Sequence, residues 1–166
     1  RNQIQVSGAS IFAYHVSDPS RYGVVELSAD NKILSIEEKP KYPKSNFAIP
    51  GFYFFDNNVI RYSKELTPSK RGELEITDLI SQYYKKNSLS VIKMDKGTAW
   101  LDTGTVSSLM DAGQFVQVLE KRQGMKVGCV EEQAYLKGYI NDQDLRELAK
   151  PYNNGYGQYL LSLINE

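Results

Sequence analysis

Cysteine, histidine and tryptophan occur once each among the 166 residues, as Cys129, His15 and Trp100. A single cysteine excludes an intrachain disulfide and makes a reducing, cytoplasmic setting the default. It also has no partner constellation that would make it a nucleophile. His15 lies in an apolar run, where a structural histidine is the simpler reading than a catalyst. An excess of either charge is missing too. Twenty basic residues balance 20 acidic ones, which leaves no electrostatic footprint for nucleic acid or an anionic membrane. No apolar run approaches the roughly 20 residues that span a bilayer, and no signal peptide or lipidation motif is present. Internal repeats and low-complexity tracts are absent. So is any glycine-rich loop of the kind that cradles a triphosphate.

What is present is ordinary globular material. Charged residues make up 24% and hydrophobic ones 41% of a chain long enough for one domain with a real core. Arg1 to Gly8 is polar and leads straight into a strand, which reads as a cut inside a larger protein. Ala9 to Val16 is aromatic and β-branched, and predicts a buried strand. Tyr22 to Leu27 predicts a second, Asp30-Asn31 a hairpin tip, and Lys32 to Glu38 a half-buried third. Phe47 to Phe55 reads as one long strand with a bulge or edge irregularity at Pro50-Gly51. Asp56 is a candidate N-cap for a helix over Asn57 to Leu66. Leu74 to Lys86 predicts an amphipathic helix, with Ile76, Leu79, Ile80, Tyr83 and Tyr84 on one side. Ser90 to Met94 is a further strand, and Ala99-Trp100-Leu101 extends to Asp102. Val106 to Arg122 is the longest predicted helix. Lys126 to Val130 is a strand or a linker. The remainder is helical, with breaks at Gly138, Pro151 and Asn153-Asn154-Gly155. Strands dominate the first half and helices the last third, which predicts a mixed-sheet α/β piece with a helical appendix.

The chemistry concentrates at Ile36-Glu37-Glu38-Lys39-Pro40 and at Trp100-Leu101-Asp102-Thr103-Gly104-Thr105. Both put charge at the end of an apolar run. Asp102 is either a ligand for a hard divalent cation, which needs few protein carboxylates, or a turn or N-cap aspartate. Glu38 and Lys39 either bind a sugar hydroxyl and a phosphate respectively or form a solvated strand end. Gly23, after Tyr22, either admits a ligand close to the backbone or marks a plain turn exit. Trp100 either stacks on a sugar ring or fills the core. Acids in Leu74-Glu75-Ile76-Thr77-Asp78 find a sufficient reason in the dipole of the helix they open.

Taken in order, the segments resemble one family. Tyr22-Gly23-Val24-Val25-Glu26, Glu37-Glu38-Lys39-Pro40, Lys44-Ser45-Asn46-Phe47-Ala48 and Gly51-Phe52-Tyr53-Phe54-Phe55-Asp56 are similar to the bacterial glucose-1-phosphate thymidylyltransferases. Arg71-Gly72-Glu73-Leu74-Glu75-Ile76-Thr77-Asp78, Ala99-Trp100-Leu101-Asp102-Thr103-Gly104-Thr105, Glu120-Lys121-Arg122-Gln123-Gly124 and Tyr156-Gly157-Gln158-Tyr159-Leu160-Leu161 continue the resemblance. It implies part of a Rossmann-like nucleotide-diphospho-sugar transferase fold. Residues 1–125 would be the sugar-phosphate and metal-binding half, and 126–166 the helical C-terminal region.

The implied reaction joins dTTP and glucose 1-phosphate to give dTDP-glucose and pyrophosphate with Mg²⁺, in the cytoplasm, on the route to dTDP-rhamnose. The implied assembly is a homotetramer. By the same resemblance Asp102 holds the metal, and Asp102 and Lys39 serve catalysis. Tyr22, Gly23, Glu38, Lys39, Ile49, Thr77 and Trp100 bind the sugar phosphate. The family's triphosphate loop and second metal aspartate have no counterpart in this sequence, so the chain alone is expected to be inactive. Val127, Glu132 and Gln133 fall on positions of the family's regulatory nucleotide site, but Leu136 stands where an arginine is expected.

Overall fold

The computed structural model describes residues 7–165; the polar lead-in of Arg1 to Val6 lies outside the described residues. The chain forms two compact units, Arg1–Trp100 and Leu101–Glu166.

The first unit is a curled sheet built around β1 (Ala9–His15). Its pattern is strict alternation. Ala9, Ile11 and Ala13 are buried, while the residues between them are only partly covered. That is the period-2 signature of a strand with one face in a core. β2 (Gly23–Leu27) and β3 (Ile33–Glu38) form an antiparallel hairpin. Asn31 turns its tip at φ 60°, a left-handed conformation that asparagine tolerates well.

The expected long strand over Phe47 to Phe55 is divided. β4 (Phe47–Ala48) and β5 (Tyr53–Phe55) both pair antiparallel with β1, at Tyr14↔Ala48 and Ile11↔Tyr53. More residues lie between Ala48 and Tyr53 than between Ile11 and Tyr14, so the chain bulges at Pro50-Gly51, where proline has no N–H to give the ladder.

A helix-turn of the chain then crosses over to β6 (Leu89–Lys93), which lies parallel to β1. The crossover contains α1 (Val59–Lys64) and α2 (Ile76–Lys85). α1 is shorter than expected and starts after Asn58. Asp56 is not its cap residue. Its carboxylate accepts from the backbone N–H groups of Asn58 and Gly8, both at 3.0 Å, and from the Tyr83 hydroxyl at 2.9 Å. It therefore ties the end of β5 to the start of β1 and to α2.

α2 seals one face of the sheet. Ile80 packs with Ile11, Ala13, Val25 and Ile49, and Leu79 and Tyr83 pack with Ala9 and Tyr62. Burying one such side chain contributes about 2 kcal/mol. The apolar stripe is rotated from the one expected. Ile76 is partly exposed at 38%, and Thr77 is buried. Tyr84 reaches β3, donating to the Ile33 and Leu34 carbonyls at 3.1 and 3.3 Å. Ala99-Trp100-Leu101 forms no strand.

The second unit is helical. α3 (Val106–Gln123) opens on a capping box between Thr105 and Ser108 and stops at Gly124 in the left-handed region. Lys126 to Cys129 is a linker without strand, fastened by Glu120, which accepts from Lys126 Nζ at 2.7 Å and the Val127 N–H at 3.0 Å. α4 (Val130–Leu136), α5 (Asp142–Ala149) and α6 (Gly155–Ser162) follow. Asn141 and Asn154 cap the last two, each accepting two backbone N–H groups. Cys129, Leu145, Ala149 and Leu160 form their core. No helix of the described residues is long and apolar enough to cross a membrane.

Candidate functional site

The site of the first unit grows from the end of β3. Glu38 is its last residue and pairs with Gly23 on β2. A continuing strand would send Lys39 to the opposite face. Lys39 instead adopts φ 41° ahead of a buried Pro40, while its N–H is held by the Tyr22 carbonyl at 3.0 Å. This break brings Lys39 Nζ to 3.8 Å from Glu38 Oε1.

Glu38 is the hub. Its side chain is one-fifth exposed, at 21%. Oε2 accepts from the Thr77 hydroxyl at 3.0 Å, which links β3 to the first turn of α2. Gly23 makes this possible. A Cβ there would stand 2.8 Å from Thr77 Cγ2, 3.3 Å from Glu38 Oε2 and 3.8 Å from Ile49 Cδ1. The glycine's missing side chain admits the protein's own groups, a use that neither expected alternative, a ligand or a plain turn exit, had named. Ile49 donates its N–H to the Gly23 carbonyl at 2.8 Å, and its side chain lies in the core.

Two residues that sequence reasoning gave no site role stand at this hub. Arg71 Nη1 lies 3.9 Å from Glu38 Oε1, the same oxygen that Lys39 approaches, and 3.5 Å from Glu75 Oε1. Glu75 is buried at 8% exposure and accepts from the Ser69 hydroxyl at 2.8 Å. It is the residue before α2, and its side chain makes no cap bond. A usable signal was the run Arg71-Gly72-Glu73-Leu74-Glu75, in which charge precedes a buried helix. Tyr53 belongs here as well. Burial, and then the Glu38 charge, push its phenol up.

Trp100 sits edge-on to Tyr22 at 5.0 Å and to Tyr14 at 5.4 Å between ring centroids. Tyr14 donates to the Thr98 carbonyl at 3.0 Å, which steadies the segment that carries the indole. Trp100 is thus joined through Tyr22 to the backbone that holds Lys39. His15 is exposed at the end of β1, edge-on to Phe47, rather than inside the apolar strand.

Asp102 belongs to the second unit. It stands in an irregular segment, not at a strand end, and Thr105 rather than Asp102 caps α3. Its carboxylate is half-buried, and both oxygens lie 3.5 Å from where a Gly104 Cβ would be. Among the described residues no group of three or more His, Cys, Asp or Glu side chains could hold a metal ion. A single hard oxygen donor fits Mg²⁺, which takes one or two carboxylates and draws its other ligands from phosphate and water.

Of the positions for which the resemblance implies a regulatory site, Val127 and Leu136 are exposed, and Glu132 accepts from the Tyr159 hydroxyl at 2.8 Å. Cys129 is buried, with Sγ 3.3 Å from the Tyr156 hydroxyl.

The sheet unit gathers the Glu38 carboxylate, the Lys39 ammonium and the Arg71 guanidinium beside the end of β3, and sets Trp100 against Tyr22. The family model for nucleotidyl transferases matches residues 1–118, and the chain belongs to that family. Curated relatives narrow the class. The glucose-1-phosphate thymidylyltransferase of Mycolicibacterium smegmatis is 53% identical over 161 residues, which covers 96% of this chain and 56% of the relative. That of Neisseria meningitidis is 48% identical, covering 98% and 57%. A Bacillus anthracis protein assigned to the same activity, solved in complex with sucrose, is 45% identical over 67% of this chain and 44% of its own. Its TM-score is 0.60. A UDP-glucose pyrophosphorylase complexed with UDP-glucose, at 23% identity and TM-score 0.58, shares the fold. The chain spans little more than half the length of the curated relatives it matches.

Proposed function

We propose that this chain carries the sugar-phosphate and metal-binding portion of a glucose-1-phosphate thymidylyltransferase, with residues 1–125 as that portion and 126–166 as its helical region. The observation that carries this reading is the Glu38 carboxylate, with Thr77 on one oxygen and two cations, Lys39 and Arg71, beside the other. Both cations stand 3.8–3.9 Å away, beyond hydrogen-bond reach, so each keeps donors to turn toward an incoming anion.

Glu38 accepts hydroxyl hydrogens of the glucose ring. Lys39 takes the 1-phosphate as a point charge, and Arg71 offers its planar fork. Trp100 and Tyr22 form the apolar wall for the ring. In the whole enzyme the sugar-phosphate oxygen attacks the α-phosphorus of dTTP, forming one P–O bond while the bond to pyrophosphate breaks. Asp102 would hold Mg²⁺, which supplies neutralisation of the charge shifting among phosphate oxygens. The protein's share is then mostly positioning and electrostatics, and Lys39 serves both.

The same reading makes the protein a cytoplasmic enzyme of dTDP-rhamnose synthesis that assembles as a homotetramer. The assembly is favoured by α3, where Val106, Met110 and Val118 are exposed and only Ala112 is buried. No glycine-rich triphosphate loop stands in the sequence, so this chain binds glucose 1-phosphate without turnover.

Calorimetry with glucose 1-phosphate, inorganic phosphate and galactose 1-phosphate tests the reading. Glucose 1-phosphate should bind most tightly, and Glu38→Gln should erase the preference between the two sugars. Equal binding of all three by the wild-type chain would sink it.

A further inference from the structure

We propose that Glu75 is a positioning residue, whose buried carboxylate, oriented by the Ser69 hydroxyl, fixes the Arg71 guanidinium beside Glu38 to meet the phosphate of a sugar 1-phosphate. This rests on the reading of the site given above.

The loop before α2 is built for one purpose. Ser69 and Glu73 close it by a backbone bond of 2.8 Å, and the Gly72 N–H returns to the Ser69 carbonyl at 2.9 Å, with Gly72 at φ 78°. The Ser69 hydroxyl accepts from the Arg71 N–H at 3.1 Å and donates to Glu75 Oε1 at 2.8 Å. One hydroxyl thus joins the backbone of the arginine to the carboxylate that faces its side chain.

Both ends of the guanidinium are held. Nη2 meets Glu73 at 2.7 Å, but Glu73 is 61% exposed and water screens that pair. Nη1 faces Glu75, whose side chain is only 9% exposed. A carboxylate so buried requires a cation, and the field it exerts is little weakened by solvent. Glu75 is therefore the stronger hold on the end of Arg71 that approaches Glu38. It lies two residues before Thr77, so one segment sets both groups that reach Glu38 from the α2 side.

Glu75→Gln keeps the shape and removes the charge. In the full chain it should weaken glucose 1-phosphate binding at least tenfold by calorimetry. The ratio of affinities for glucose 1-phosphate and galactose 1-phosphate should stay unchanged, because Glu38 still reads the ring. The Arg71 Nε–H resonance should broaden or shift relative to the wild type. Ser69→Ala leaves the buried charge in place, should fold even where Glu75→Gln does not, and should give the same pattern at smaller amplitude. An unmoved Arg71 resonance in both variants overturns the positioning role. A moved resonance with unchanged glucose 1-phosphate affinity overturns its link to phosphate. Failure of the wild-type chain to bind glucose 1-phosphate overturns the sugar-phosphate reading and the phosphate role together, while the resonance still reports separately on what holds Arg71.

Discussion

The helical unit and the Glu38 hub of the sheet unit use their polar groups in opposite ways. In the helical unit, tyrosine hydroxyls close tightly on carboxylates: Tyr156 on Glu131 at 2.6 Å, Tyr159 on Glu132 at 2.8 Å and Tyr135 on Asp142 at 2.9 Å. These bonds consume the donors and pin α4, α5 and α6 together. At the Glu38 hub, two cations stop 3.8 and 3.9 Å short of one carboxylate oxygen, although the far end of Arg71 closes on Glu73 at 2.7 Å. Contact length separates scaffold from site. Groups that are saturated hold structure, whereas groups brought near and left short of a bond are available to a ligand.

The largest effect should come from closing the gap at Gly23. In Gly23→Ala the new methyl would stand 2.8 Å from Thr77 Cγ2, and Thr77 sits on a packed helix that cannot retreat. We expect a loss of about 1–3 kcal/mol in stability by denaturant unfolding, with glucose 1-phosphate binding abolished. Hydrogen exchange should stay normal in α4–α6. If exchange rose equally in both units, the division between them would be wrong.

Next is Tyr156→Phe, the mirror experiment. It strips a donor from Glu131, and a hydrogen bond to a charged group contributes about 1.5–3 kcal/mol. Faster amide exchange in α4 and α6 should appear with sugar-phosphate affinity unchanged. A drop in affinity would break the comparison.

The elements that could be read from the sequence are those fixed by local periodicity. β1, β2, β3 and the longest helix fall close to their expected spans, and Gly138, Pro151, Asn153 and Asn154 lie in helical breaks as expected, while Gly155 opens α6. What escaped depends on partners distant in the chain. Asp56 resembles any helix cap until Gly8 and Tyr83 arrive beside it, 48 and 27 positions away. Glu75 reads as an acid at the start of a helix and Arg71 as one member of a motif, and only the fold buries Glu75 and points Arg71 at Glu38. The left-handed turn at Lys39 has no glycine to announce it. Trp100 and Glu38 were legible as candidates because charge or indole at the end of an apolar run is conspicuous, whereas Tyr22 was a candidate only through the resemblance.

A smaller, graded effect should follow pH. The Tyr156 hydrogen bond, foremost, holds the Glu131 carboxyl below its ordinary value. Its contribution is fully present above the unfolded value of about 4.3 and is lost as pH falls through the depressed folded value. At the alkaline end, burial and the Glu132 bond raise the Tyr159 phenol to about 12. The folded state then holds its proton longer than the unfolded chain does, so stability declines from about pH 10 toward that value. Thermal melts across pH should show both limbs, and Glu131→Gln should flatten the acid one. An unchanged acid limb in that variant would remove Glu131 from the account.

The smallest effect belongs to Lys150→Ala. Its pair with Glu147 at 2.6 Å is two-thirds exposed on the lysine side, so the melting midpoint should not move measurably.

The parallel pairing of β1 with β6 has a consequence in time. Ser10 and Ser90 meet hydroxyl to hydroxyl, 80 positions apart. Synthesis proceeds from the N-terminus, so β1 is complete while the strand that flanks it has yet to be made. The edge of β1 that pairs with β6 must wait unpaired through the production of both crossover helices. Non-local pairing of this kind is slow, and the waiting strand is open to other chains. The nascent sheet is therefore most vulnerable to misassociation before residue 93 emerges, and a ribosome-bound chaperone that covers β1 should raise the soluble yield more than one that acts after release.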